Sequence, residues 1–206
     1  MAVTKLTKSG FTYGSFNKYD DFLAGNSAYI PSSFESIATV TAAGGETSLS
    51  FTSIPSTYKH LQIRGIYRDT WTGGPQASNL QIQFNSDTGT NYTRHRLYGN
   101  GTSAAADGLG TQNFILLMSA GMSSGSSNTS VYGASIIDIL DYASTSKNKT
   151  LKAISGGDFN TASVNYRIAL DSGLWLSTSA ISTVTLKPDD VAFAAGTTYA
   201  LYGIRG

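Results

Sequence analysis

Asp87-Thr88-Gly89-Thr90 spells the active-site signature of an aspartic protease. In those enzymes two carboxylates share one proton. That chemistry needs a second such Asp, from another lobe or a dimer mate, held behind apolar flanks. Here polar Asn85-Ser86 precedes the tetrapeptide, and alternating segments flank it on both sides. Asp-Thr-Gly is also what a tight hairpin turn wants, with Gly taking a positive φ. Short motifs match by chance often. The hairpin turn is the expectation.

The same stretch offers oxygens from Asn85, Asp87 and Asn91, as a calcium loop would. Calcium takes six to eight oxygen ligands, and only one carboxylate is obvious. Asp189-Asp190 and the pair Asp138 and Asp141 add carboxylates without a spacing that builds a cage. With no cysteine and only His60 and His95, thiolate zinc sites, disulfides and cysteine nucleophiles are excluded, and histidine metal sites nearly so. No Gly-x-Ser-x-Gly elbow and no phosphate-cradling Gly-rich loop followed by Lys-Ser/Thr occurs. The residues point away from catalysis: no catalytic residue, metal or cofactor is expected.

Two aromatics could instead bind. Trp71 sits in the loop Arg68-Asp-Thr-Trp-Thr-Gly-Gly, and Tyr98 precedes the Gly/Ala-rich stretch 99–110. An aromatic face beside polar loop groups can stack on a sugar. Capping the domain or meeting another subunit are the alternatives. Trp175, within Gly173-Leu-Trp-Leu176, reads as core.

The elements that would position these residues are strands. Charged residues make up 13%, about half the usual share, while Gly, Ser, Thr, Tyr and Phe are abundant. Such a composition favours pleated surfaces joined by turns. Leu80, Ile82 and Phe84 alternate with Gln81, Gln83 and Asn85, the pattern of a half-buried strand. In the run 60–67, Leu61, Ile63 and Gly65 share one face and Gln62, Arg64 and Ile66 the other. Further runs at 34–41, 47–52, 92–98, 114–118, 131–142, 150–154, 164–170, 181–186 and 199–204 give about ten or eleven strands. The stretches 99–110 and 119–129 read as links. No fixed repeat and no long helix appears. The fold class is all-β, a two-sheet β-sandwich or jelly roll over residues 34–206.

Residues 1–33 differ. Phe11, Tyr13, Phe16, Tyr19, Phe22 and Tyr29 recur among Lys and Asp without a period of 2 or 3.6. They read as an arm, folded along its own domain or docked on another subunit, since aromatics anchor interfaces. A net charge of +1 offers no field for nucleic acid or an anionic membrane. The chain starts without the apolar core of a secretory signal and holds no apolar stretch of about 20 residues. Synthesis in a cytoplasm is expected.

Several segments together carry a resemblance. Phe34-Glu-Ser-Ile-Ala-Thr-Val-Thr41, Leu49 through Arg64, Leu80 through Tyr92, Ile181 through Leu186 and Tyr199 through Ile204 resemble a recurrent module of tailed-bacteriophage virion proteins. Lys18 through Asn26 is similar to the leader on such proteins. The resemblance implies a β-sandwich exposed on a capsid or tail, assembled in a bacterial cytoplasm and released by lysis. Its partners would be other virion proteins and copies of itself. A capsid decoration protein docked by residues 1–33 is the leading expectation, because no heptads or fibrous repeat build a shaft. A short tail fibre contacting host-surface glycan through Trp71, Tyr98 and the 99–110 loop is the alternative. A polysaccharide-degrading domain ranks below both.

Overall fold

Alternation of inward apolar and outward polar side chains produces strands throughout the chain from Phe34 to Gly206, which forms one compact unit. The computed structural model describes residues 33–73, 77–122, 130–158, 167–189 and 191–206. The arm aromatics Phe11, Tyr13, Phe16, Tyr19, Phe22 and Tyr29 lie outside the described residues.

Twelve strands occur among the described residues. They are β1 (Phe34–Thr41), β2 (Leu49–Phe51), β3 (His60–Tyr67), β4 (Ala77–Phe84), β5 (Tyr92–Gly99) and β6 (Ala104–Gln112). The remainder are β7 (Ile115–Met122), β8 (Gly133–Leu140), β9 (Lys149–Gly156), β10 (Ile168–Trp175), β11 (Val184–Pro188) and β12 (Thr198–Ile204). An eight-stranded sheet runs β1-β12-β3-β8-β9-β10-β5-β6, and a four-stranded sheet runs β2-β11-β4-β7. All pairings are antiparallel. The architecture is the all-β, two-sheet sandwich that the periodicity predicts.

The core lies between the sheets. Leu61 and Ile63 of β3 are fully buried against Leu80, Ile82 and Phe84 of β4 and Ile137 and Ile139 of β8. Gly65 shares their face for a steric reason: a Cβ there would come within 2.1 Å of the Tyr199 ring. Burial also costs Tyr199 a partner, since its hydroxyl has no hydrogen bond. An orphaned buried hydroxyl carries its full desolvation penalty. Tyr199→Phe is therefore expected to raise the unfolding free energy measured in urea by about 1 kcal/mol. A loss of stability would show that the hydroxyl has a partner.

Three expectations need correction. The stretch 99–110, read as a link, contains most of β6. Ala104–Gln112 has no apolar period because no part of it is buried; it edges the larger sheet and makes no substantial contact with the smaller one. Residues 85–91 do not close a hairpin, since β4 pairs with β11 and β7 while β5 pairs with β10 and β6. The segment crosses between sheets, and its left-handed residues are Asn85 (φ 50°) and Ser86 (φ 57°), not Gly89. The run 114–118 is not buried on both faces: Ile115 and Leu117 are buried, whereas Phe114 and Leu116 are half-exposed.

Candidate functional site

The inter-sheet crossing positions Asp87. Left-handed Asn85 turns the chain and pins it, its Oδ1 accepting from the Ser182 and Thr183 amides at 2.9 and 3.1 Å. Asn85 Nδ2 donates to the Ala180 carbonyl at 2.8 Å. Asp87 is then aimed at the end of β10. One carboxylate oxygen accepts from the Gly89 amide at 2.8 Å, the other from Asn91 Nδ2 at 2.9 Å and the Trp175 indole at 2.7 Å. Those donors, the indole first, hold the Asp87 carboxyl below its usual value. Trp175 is buried against Phe84 and Tyr92, with ring centroids 5.6 and 6.2 Å away. Burial pushes the Tyr92 hydroxyl up to about 12.

This arrangement suits an ionised carboxylate that ties a loop to a core tryptophan. It does not suit a dyad sharing a proton, nor calcium: Asn85 turns its oxygen to backbone amides and Asn91 offers Asp87 a donor. Among the described residues no three His, Asp or Glu side chains gather as a metal site.

The other chemistry-capable residues are dispersed. His60 Nδ1 accepts from the Asp141 amide at 3.0 Å, and the Asp141 carboxylate takes Lys147 at 2.6 Å and Lys59 at 3.3 Å. Lys147 first, then Lys59, hold Asp141 below its usual value. Asp138 accepts from Gln62 Nε2 at 2.7 Å. His95 stands exposed on the outer face of β5. Asp190 lies outside the described residues.

Trp71 follows β3, partly exposed, with its amide donating to Asp69 Oδ1 at 2.9 Å. It borders a pocket of about 250 Å³ with Asp69, Ser78, Asn79, Asp189 and Val191. Gly73 leaves space for the indole, which a Cβ would approach to 2.4 Å. Tyr98 is not part of this pocket. It lies on β5, at the same end of the large sheet but four strand spacings away, about 19 Å. The Arg167 guanidinium covers its ring at 5.1 Å. Trp71 and Tyr98 therefore do not form one stacking site, and β6 replaces the loop expected beside Tyr98.

Two features escaped the sequence reading. The first is a buried ion pair: Arg96 Nε donates to Asp171 Oδ1 at 3.0 Å, with Asp171 fully buried. Asp171 Oδ2 accepts from the Met118 amide at 3.1 Å, and Arg96 Nη2 donates to the Leu116 carbonyl at 2.7 Å. The pair thus ties β5 and β10 to β7 of the opposite sheet. Burial pushes the Asp171 carboxyl up and the Arg96 guanidinium down, while their mutual attraction opposes both shifts. The second is an apolar outer face. Ile66, Leu97, Ile136, Leu140, Ile154, Ile168 and Leu170 all project outward from the eight-stranded sheet and are exposed. Isolated exposed aliphatics are ordinary, but a contiguous patch marks an interaction surface.

No family model matches this chain, and no curated protein does. Among solved structures, it is similar to a Ruminococcus gnavus IT-sialidase CBM40 bound to α2,3 sialyllactose. The identity is 12% and the TM-score 0.28, over 82% of this chain and 92% of that one. A putative pore-forming toxin from Bacteroides vulgatus follows at 8% identity and a TM-score of 0.07, over 79% of this chain and 60% of that one. Likeness at these scores carries no argument about function.

Proposed function

We propose that this chain is a non-enzymatic structural protein of a tailed-phage virion, a capsid decoration protein docked through residues 1–33. One observation supports the reading. The segments that resemble phage virion proteins fall on β1, β12 and β3, which are neighbours in the large sheet, and on β2, β11 and β4, which are neighbours in the small one. Motifs scattered from Phe34 to Ile204 in sequence thus assemble into one contiguous half of the sandwich, as a shared structural module would. The polar clusters fit the same reading, because Asp87, Asp141 and Asp171 each tie parts of the fold together. Deleting residues 1–33 is expected to abolish retention on purified particles in a sedimentation assay while leaving the sandwich folded by circular dichroism. Full retention by the truncated chain would sink the docking arm.

A second reading, a tail component that contacts host glycan, is favoured by the pocket at Trp71. An indole set beside the polar side chains of Asp69, Asn79 and Asp189 offers a neutral sugar a stacking face with polar groups at its edge. Copy number on the particle separates the two.

A further inference from the structure

The exposed aliphatics of the large sheet are in register. Arg64, Ile136, Ile154, Leu170, Leu97 and Ala106 form one row across β3, β8, β9, β10, β5 and β6, each paired directly with the next. Its four central members are 44%, 53%, 43% and 55% exposed. The neighbouring row on the same face runs Gln62, Asp138, Lys152, Ser172, His95 and Gly108. On the other side run Ile66, Ala134, Gly156, Ile168, Gly99 and Ala104. Between strands the face dips into a groove of about 450 Å³, bordered by Leu97, Leu140, Lys152, Leu170 and Ser172 among others.

We infer that a second copy of this chain docks face to face on this sheet, about a two-fold axis that runs along the strands between β9 and β10. The rows are self-complementary under that operation and place three strands on each side of the axis. Ile154 meets the other copy's Leu170, and Ile136 meets its Leu97, so the central row closes aliphatic on aliphatic. Asp138 meets His95, Lys152 meets Ser172 and Arg64 meets Ala106, so no like charges oppose each other. Ile168, at 65% the most exposed aliphatic of the face, meets Gly156, where no side chain stands in its way. An isologous interface needs this kind of self-match, and an unrelated partner would not impose it. Size is adequate. The six strands that oppose each other, about 4.8 Å apart and about 27 Å long, make a face of roughly 780 Å², against about 800 Å² per partner in a standard interface. This inference stands on the register and does not depend on the virion reading.

Analytical ultracentrifugation of the full chain tests it. The wild type is expected to sediment as a dimer, and Leu170→Lys and Ile154→Lys to weaken dimerisation by about tenfold or more with unchanged circular dichroism and melting. These positions are solvent-facing, so the fold does not depend on them. Register has its own test, clean because the chain lacks cysteine. Ile136→Cys with Leu97→Cys places two thiols about 14 Å apart within one chain, three strand spacings. A bis-maleimide too short for that span should cross-link the double variant between chains, and neither single variant. A wild type that stays monomeric across the concentration series overturns the inference. So does a dimer indifferent to Leu170→Lys, and so does one lost on deleting residues 1–33 but kept in Leu170→Lys, which would make the arm the occupant.

Discussion

Asp171→Ala is expected to destabilise the sandwich by about 3 kcal/mol, because it removes the nearer of the two carboxylates facing the buried Arg96 guanidinium and leaves only the half-exposed Asp107, at 3.6 Å. The loss also orphans the Met118 amide of the opposite sheet. Urea denaturation gives the number, and a double-mutant cycle gives its origin. Removing both charges together, with Asp171→Leu and Arg96→Met, should recover most of the stability. A buried pair replaced by apolar groups of similar volume is often neutral or better. If the double variant were as unstable as the two single ones added, the pair would matter for packing and not for charge. A cost under about 1 kcal/mol in Asp171→Ala would put the pair in contact with water.

Asp87 carries the second large effect and a pH signature. Asp87→Ala deprives the buried Trp175 indole of its acceptor and frees Asn91, a loss of about 1–3 kcal/mol. Its carboxyl is held below the usual value in the folded chain, so the folded state binds its proton less readily than the unfolded state. Stability from this group is therefore present above about pH 4 and is lost as pH falls through the lower, folded value. Asp87→Asn keeps an oxygen for the indole but cannot titrate. Between pH 6 and pH 3 its stability should fall less steeply than that of the wild type. Parallel curves for the two proteins would mean that Asp87 makes no ionised contact with Trp175. A protease dyad would behave in the opposite sense, since its shared proton raises one carboxyl.

Strands with one buried face were legible. Leu80, Ile82 and Phe84 alternate because one side of β4 meets the large sheet and the other does not, and Leu61, Ile63 and Gly65 follow the same rule. Trp175 was legible as core from its place within Gly173-Leu-Trp-Leu176, although the run expected there stopped at Leu170, short of the end of β10. Ala104–Gln112 was illegible because a strand exposed on both faces has no burial to impose a period. The crossing at 85–91 was misread because Asp-Thr-Gly serves a tight turn in either setting, and only the pairing of β4 and β5 with other strands distinguishes them. Arg94 and Arg96 hid the inward face of β5, where charges stand in place of aliphatics. In β8 the run Ile136-Ile137-Asp138-Ile139-Leu140 is apolar at both phases, so the outward members could not be told from the inward ones until the register was known.

That division has a functional sense. The half built from β1, β12, β3, β2, β11 and β4 shows its alternation in the sequence. The half built from β8, β9, β10 and β5 spends aliphatics on its outer face, which a lone domain gains nothing by exposing. A protein meant to be surrounded by copies of itself and by a particle would carry such a face.

We propose for this chain a structural role in a phage particle. If that holds, quantitative mass spectrometry of purified particles detects the chain and counts its copies. The decoration reading predicts hundreds of copies per particle, and the tail reading six to a few dozen. Absence of the chain from purified particles would contradict the account.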